Sequence, residues 1–105
     1  MITEYGIEGK SNAQLISELG GRFRDYRLFS NLTQREVAEK SGVSVFTISQ
    51  FENGEARNIG LGTVLSLLRS SGFLGEVEKV LPPLPPLPIR VRKSQEKRER
   101  VRHKG

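Results

Sequence analysis

The sequence predicts an all-α fold of about five helices over residues 12–81, followed by a tail that cannot stay helical. Three observations carry this expectation. Apolar residues recur at spacings of three and four along residues 15–26 and 61–68. Between Thr33 and Gly54, helix-starting and helix-stopping residues alternate as two short helices joined by a tight turn require. Five prolines within residues 82–88 then end regular helix.

Residues 1–11 contain two glycines and no clear period, and read as a flexible arm. A first helix is expected from about Asn12, with Leu15, Leu19, Phe23 and Tyr26 on its buried face. Gly20 and Gly21 interrupt it, each costing about 1 kcal/mol against alanine. They signal a kink, a later start or a close approach by another helix. Phe29-Ser30-Asn31 marks its end. Thr33 followed by Glu36 is a capping box and opens the second helix. Val37 and Ala38 face inward, and Gly42 takes the left-handed conformation that closes it. Ser44 caps the third helix, which buries Ile48 and Phe51. Asn53-Gly54 turns the chain. After the loop 55–60, Leu61, Val64, Leu65 and Leu68 form a helical stripe that stops at Ser71-Gly72. A short last helix, from Phe73 to about Leu81, covers the bundle.

Beyond it, Pro82 to Pro88 favours polyproline II and reads as a stiff spacer of about 20 Å. The same residues resemble ligands of proline-binding domains. Residues 89–105 form a basic tail with eight Lys/Arg against two Glu, net +6. Residues 1–88 hold nine Lys/Arg and ten Asp/Glu, net −1, so the excess positive charge is all in the tail. Such a block attracts polyanions, such as DNA phosphates, or an acidic protein; alternatively it is a solubilising end.

The chain has no cysteine, which excludes disulfides, thiolate metal sites and cysteine nucleophiles. The single histidine, His103, has no ligand cluster around it, and no cofactor is expected. No nucleophile elbow, paired-carboxylate site or phosphate-binding glycine loop is present, so an enzyme is not expected. No apolar run is long enough for a membrane helix, and the N-terminus lacks a signal-peptide layout. A soluble cytoplasmic protein is expected.

The spacing within Thr33–Gly54 has a physical basis. Two helices that cross steeply need a small residue near their contact, here Ala38. The turn needs tolerance of positive φ, here Gly42. Apolar contacts from Val37, Val43, Ile48 and Phe51 then fix the angle. This is the helix-turn-helix arrangement, in which the first helix lies across a DNA backbone and the second enters the major groove.

The residues Arg27, Leu32-Thr33-Gln34, Val37-Ala38, Gly42-Val43-Ser44, Ile48-Ser49 and Glu52-Asn53-Gly54 carry a resemblance to the phage-repressor type of regulator, the Xre or Cro/CI family. That family has a lambda-repressor-like helix-turn-helix domain, and the similarity covers about residues 12–80. It implies DNA-binding roles for Gln34 at the start of the first motif helix and for Ser44, Val45, Phe46, Thr47, Ser49 and Gln50 along the recognition helix. Asn53 and Arg57 around the following turn are implied to meet phosphates. It also implies a structural salt bridge between Arg27 and Glu52. The chain departs from the family at Val45 and Phe46, where relatives often carry Gln, Arg or Lys. Apolar side chains pack on thymine methyl groups, and an amide pairs bidentately with adenine, so A·T-rich steps read mainly by Gln50 are expected. Phe46 has a second reading as a core or dimer-contact residue.

One short recognition helix reads few base pairs, so a homodimer on an inverted-repeat operator is expected. The segment Phe73–Leu81 is the candidate dimer contact. More loosely, the layout of this domain, a proline-rich segment and an Arg/Lys-rich end resembles the antitoxins of Hip-type toxin–antitoxin pairs. That likeness implies a kinase-like toxin as partner alongside autorepression. Two other readings are a free-standing phage- or plasmid-type repressor and a non-specific nucleoid-associated protein.

Overall fold

A computed structural model describes residues 6–86 and Pro88. Among them the chain is wholly helical and irregular, with four α-helices: α1 Asn12–Phe29, α2 Gln34–Ser41, α3 Val45–Glu52 and α4 Leu61–Ser71. A short 3-10 turn, Gly6–Gly9, lies inside the stretch read as an arm, and a closing 3-10 helix, Leu74–Lys79, stands where the fifth helix was expected. The basic tail and His103 lie outside the described residues.

Local chemistry sets most of the boundaries. Ser11 caps α1 by accepting the Gln14 N–H at 3.1 Å, and the Gln14 side chain accepts the Ser11 N–H at 2.7 Å. Thr33 and Glu36 repeat this reciprocal pair at α2, at 3.0 and 2.8 Å. Gly42 ends α2 at φ +77°, where a side chain would clash with its own backbone. Ser44 then caps α3 by accepting the Thr47 N–H at 3.1 Å. Between α1 and α2 the chain reverses through Asn31, at φ +58°. Asparagine tolerates this region better than other residues with a side chain.

Phe23, Val37, Ile48, Phe51 and Leu67 form the buried core, one or two from each α-helix. Ile16, Leu32, Ala38, Val43, Ile59, Val64 and Leu68 pack around them. Two expected stripes are corrected here. The buried face of α1 runs through Ile16, Gly20, Phe23 and Arg27, leaving Leu19 half exposed. It is turned toward Ile16 because Gly20 meets α3: a Cβ there would stand 1.7 Å from the Phe51 carbonyl oxygen. Of the readings open for the glycines, Gly20 therefore serves a close helix approach, whereas Gly21 faces open space. On α4, Leu67 is the fully buried residue and Leu61 is exposed, because Leu61 sits at the helix's first position, outside the packed layer.

Candidate nucleic-acid interface

The motif helices are locked from beneath by one charged cluster. Arg27 on α1 and Glu52 at the end of α3 form a bidentate pair, Nε to Oε2 at 2.7 Å and a terminal nitrogen to Oε1 at 2.8 Å. Both side chains are buried, and the other terminal nitrogen of Arg27 donates to the Leu32 carbonyl at 2.8 Å. Hydrogen bonding to Glu52 pushes the Arg27 pKa above its ordinary value. Glu52 Oε1 also accepts the Gln34 amide at 3.1 Å. One carboxylate thus ties α1, the start of α2 and the end of α3 together.

With Ile48, Phe51 and Glu52 turned inward, α3 presents the opposite face outward. It begins with Val45 and Phe46, 42% and 71% exposed, so Phe46 is not a core residue of this chain. Ser49 and Gln50 follow one turn later, half-buried, and Asn53 is exposed just past the helix end. These positions fall one turn apart on one face. Ser44 is committed to its cap, and its hydroxyl also donates to Thr47 Oγ1 at 3.0 Å. The Asn53 amide donates to Ser49 Oγ at 3.2 Å.

The turn after α3 is anchored to it. The Gln50 carbonyl accepts the N–H groups of Glu55 and Ala56 at 2.9 and 3.1 Å. Gly54, at φ +77°, passes against α1, where a Cβ would stand 2.6 Å from Ser17 Oγ. The exposed Arg57 follows, on the rim of an open hollow of about 550 Å³ that Lys10, Gln14 and Ser17 also line.

Of the residues read from sequence, Ser44, Val45, Phe46, Thr47, Ser49, Gln50 and Asn53 therefore sit on or around one helix, with Arg57 one loop away. Gln34 is partly withdrawn: its amide nitrogen gives one hydrogen to Glu52 and keeps a second for an outside acceptor. Arg35, which is not among those residues, lies beside Gln34 in the first turn of α2. Arg35 and Arg57 are both exposed and make no ion pair among the described residues. Arg35 is a basic side chain at a helix start, an end that itself favours anions. Arg22, by contrast, stands 3.8 Å from Glu18, which also pairs with Lys10 at 2.7 Å.

Among the described residues no group of His, Cys, Asp or Glu side chains is placed to hold a metal ion. No described helix is long and apolar enough to cross a membrane. Residues 18–80, more than half of the chain, match the family model of a helix-turn-helix domain. No curated protein and no solved structure matches the chain.

Proposed function

Because the chain belongs to the helix-turn-helix domain family, a DNA-binding architecture, we propose that it is a sequence-specific transcriptional repressor that binds an inverted-repeat operator as a homodimer. The observation that supports this most is the outward face of α3. Phe46, 71% exposed beside Val45 at the start of α3, offers an apolar surface on which a thymine methyl group can pack. In this reading Val45 and Phe46 pack on such methyls and Gln50 pairs with adenine. Gln34, Ser44, Thr47, Ser49 and Asn53 border the groove, and Arg35 and Arg57 meet phosphates. The role is binding, without catalysis.

Selection of bound duplexes from a random pool tests this. Two A·T-rich half-sites, inverted and about one helical turn apart, are expected. Recovery of no common sequence would instead indicate a non-specific nucleoid-associated protein.

A second reading rests on the layout of the chain. A proline-rich segment and a +6 tail extend past a domain that is already closed by its last 3-10 helix. This suits an antitoxin that represses its own operon and uses its C-terminal part to hold a kinase-like toxin. Affinity purification from the native host after nuclease treatment separates the two. A stoichiometric kinase-like protein supports the antitoxin, and the chain alone supports a free-standing repressor.

A further inference from the structure

Of the apolar features that the bundle leaves uncovered, two away from α3 have the chemistry to cover each other. The first is a cluster of rings where α1 ends. Phe73 lies 4.7 Å from Tyr26 and 6.1 Å from Phe29, centroid to centroid, with the planes tilted by 40° and 52°. Phe29 is 83% exposed and Leu28 beside it is half exposed. Two carboxylates border the cluster: Glu76 accepts the Tyr26 hydroxyl at 3.5 Å and pairs with Lys79 at 3.1 Å, while Glu78 is exposed on the same 3-10 helix without an ion pair among the described residues.

The second feature is the segment that follows. Leu81 and Leu84 are 87% and 81% exposed, and no hydrogen bond or ring contact among the described residues holds 81–86 to the bundle. A polyproline II segment has three residues per turn, so Leu81 and Leu84 share one edge and Pro82, Pro85 and Pro88 the next. Ridges of this kind are recognised by aromatic-lined surfaces, at little entropic cost because the segment is already stiff. In sequence the arm runs on into Arg90, Arg92 and Lys93, opposite in charge to the exposed Glu78.

The arm does not lie on the rings of its own copy, as its exposure shows. It departs just after the six-residue 3-10 helix that follows Phe73, a rise of about 12 Å. Extended, residues 81–86 span about 19 Å. Two copies facing each other with their ring clusters toward a twofold axis would therefore each place an arm within reach of the other's rings. The geometry points to reciprocal arm exchange: residues 81–86 of one copy dock on Tyr26, Phe29 and Phe73 of a second copy. A twofold arrangement covers both exposed features twice with one set of contacts. This inference rests on the homodimer proposed above and names what holds it together.

Sedimentation equilibrium on the full chain tests it, using an arm variant (Leu81→Ser with Leu84→Ser), a patch variant (Phe29→Ser), and an equimolar mixture of the two. All three residues are exposed, and circular dichroism checks that helix content is kept. Each variant should dimerise at least about tenfold more weakly than wild type. The mixture should form mixed dimers in preference to either homodimer, because the intact arm of the patch variant meets the intact rings of the arm variant. Wild-type dimerisation by both variants would overturn arm exchange and leave the dimer itself standing. Weakening by the arm variant alone would also overturn it and send the proline segment to a different protein's groove. A wild-type chain that stays monomeric, even on operator DNA, would remove the dimer and the exchange together.

Discussion

Gly20 and Phe51 touch through backbone: where Gly20 would carry a Cβ, the Phe51 carbonyl oxygen is 1.7 Å away. The end of α3 thus rests against the backbone of α1, and its position is set by a side chain that is not there. Gly20→Ala must push the helices apart, since the obstructing atom is backbone. We expect a loss of about 3 kcal/mol, at the upper end for overpacking. Gly21→Ala, one position on and facing open space, should gain about 0.5–1 kcal/mol from helix propensity. Urea denaturation of the two variants measures the contrast. Equal effects would mean that the approach is not tight.

The Arg27–Glu52 pair should behave as a buried one. Arg27→Met strands the Glu52 carboxylate and should cost about 3–5 kcal/mol. Changing Glu52→Leu as well removes the stranded charge, and most of that stability should return. DNA affinity should return less completely, since Gln34 then has no acceptor. Denaturation and DNA-binding titrations on the single and double variants separate the two effects.

Gln50→Ala should leave folding intact and cost about 1–3 kcal/mol of discrimination at one A·T position, read by competition between matched and mismatched duplexes. Arg57→Ala should weaken all duplexes alike and lower the salt slope by about 1. If Gln50→Ala keeps the full sequence preference, base reading belongs to another side chain.

The cap of α2 should be pH-sensitive. Hydrogen bonds from Thr33 hold the Glu36 carboxyl below its ordinary pKa. A depressed carboxylate contributes stability above its unfolded pKa, and that contribution fades as pH falls through the lower folded value. The Thr33 amide resonance should therefore shift on acidification with a midpoint below the usual glutamate range. Glu36→Gln keeps an acceptor for the Thr33 N–H and should abolish this titration.

Removing residues 89–105 tests what the tail adds. If it grips phosphates, the slope of log affinity against log salt falls by about 0.9 for each phosphate the tail had neutralised, while sequence preference stays. An unchanged slope assigns the tail elsewhere.

The motif is legible in the sequence because its signals are local. Thr33 with Glu36, Gly42 and Ser44 each act within four residues, and all appear where the chain needs them. The face of α1 is only partly legible. Spacing finds Phe23, but Gly20 leaves a kink, a later start and a close approach open alike, and Arg27 gains its partner Glu52 only through the family resemblance. Only the Phe51 carbonyl and the Glu52 carboxylate, distant in sequence, make them core. Leu67 is hidden among neighbouring leucines that propensity does not distinguish. The Ser11–Gln14 cap is as local as the one at Thr33, but Asn12 beside it offers a competing start. Gln34 reads as a DNA contact alone, because its link to Glu52 crosses from one helix to another.

α2 and α3 have eight residues each, about two turns. Helices this short do not persist alone in water, since nucleation outweighs the few bonds that follow. The surface offered to DNA therefore has no existence apart from the core beneath it. Unfolding of that core would remove the reader outright and leave no weakened form of it. As the chain is warmed, DNA binding and helix content should disappear in one transition. A cell that clears this protein by unfolding it would then switch off its DNA binding at the first step, before any peptide bond is cut.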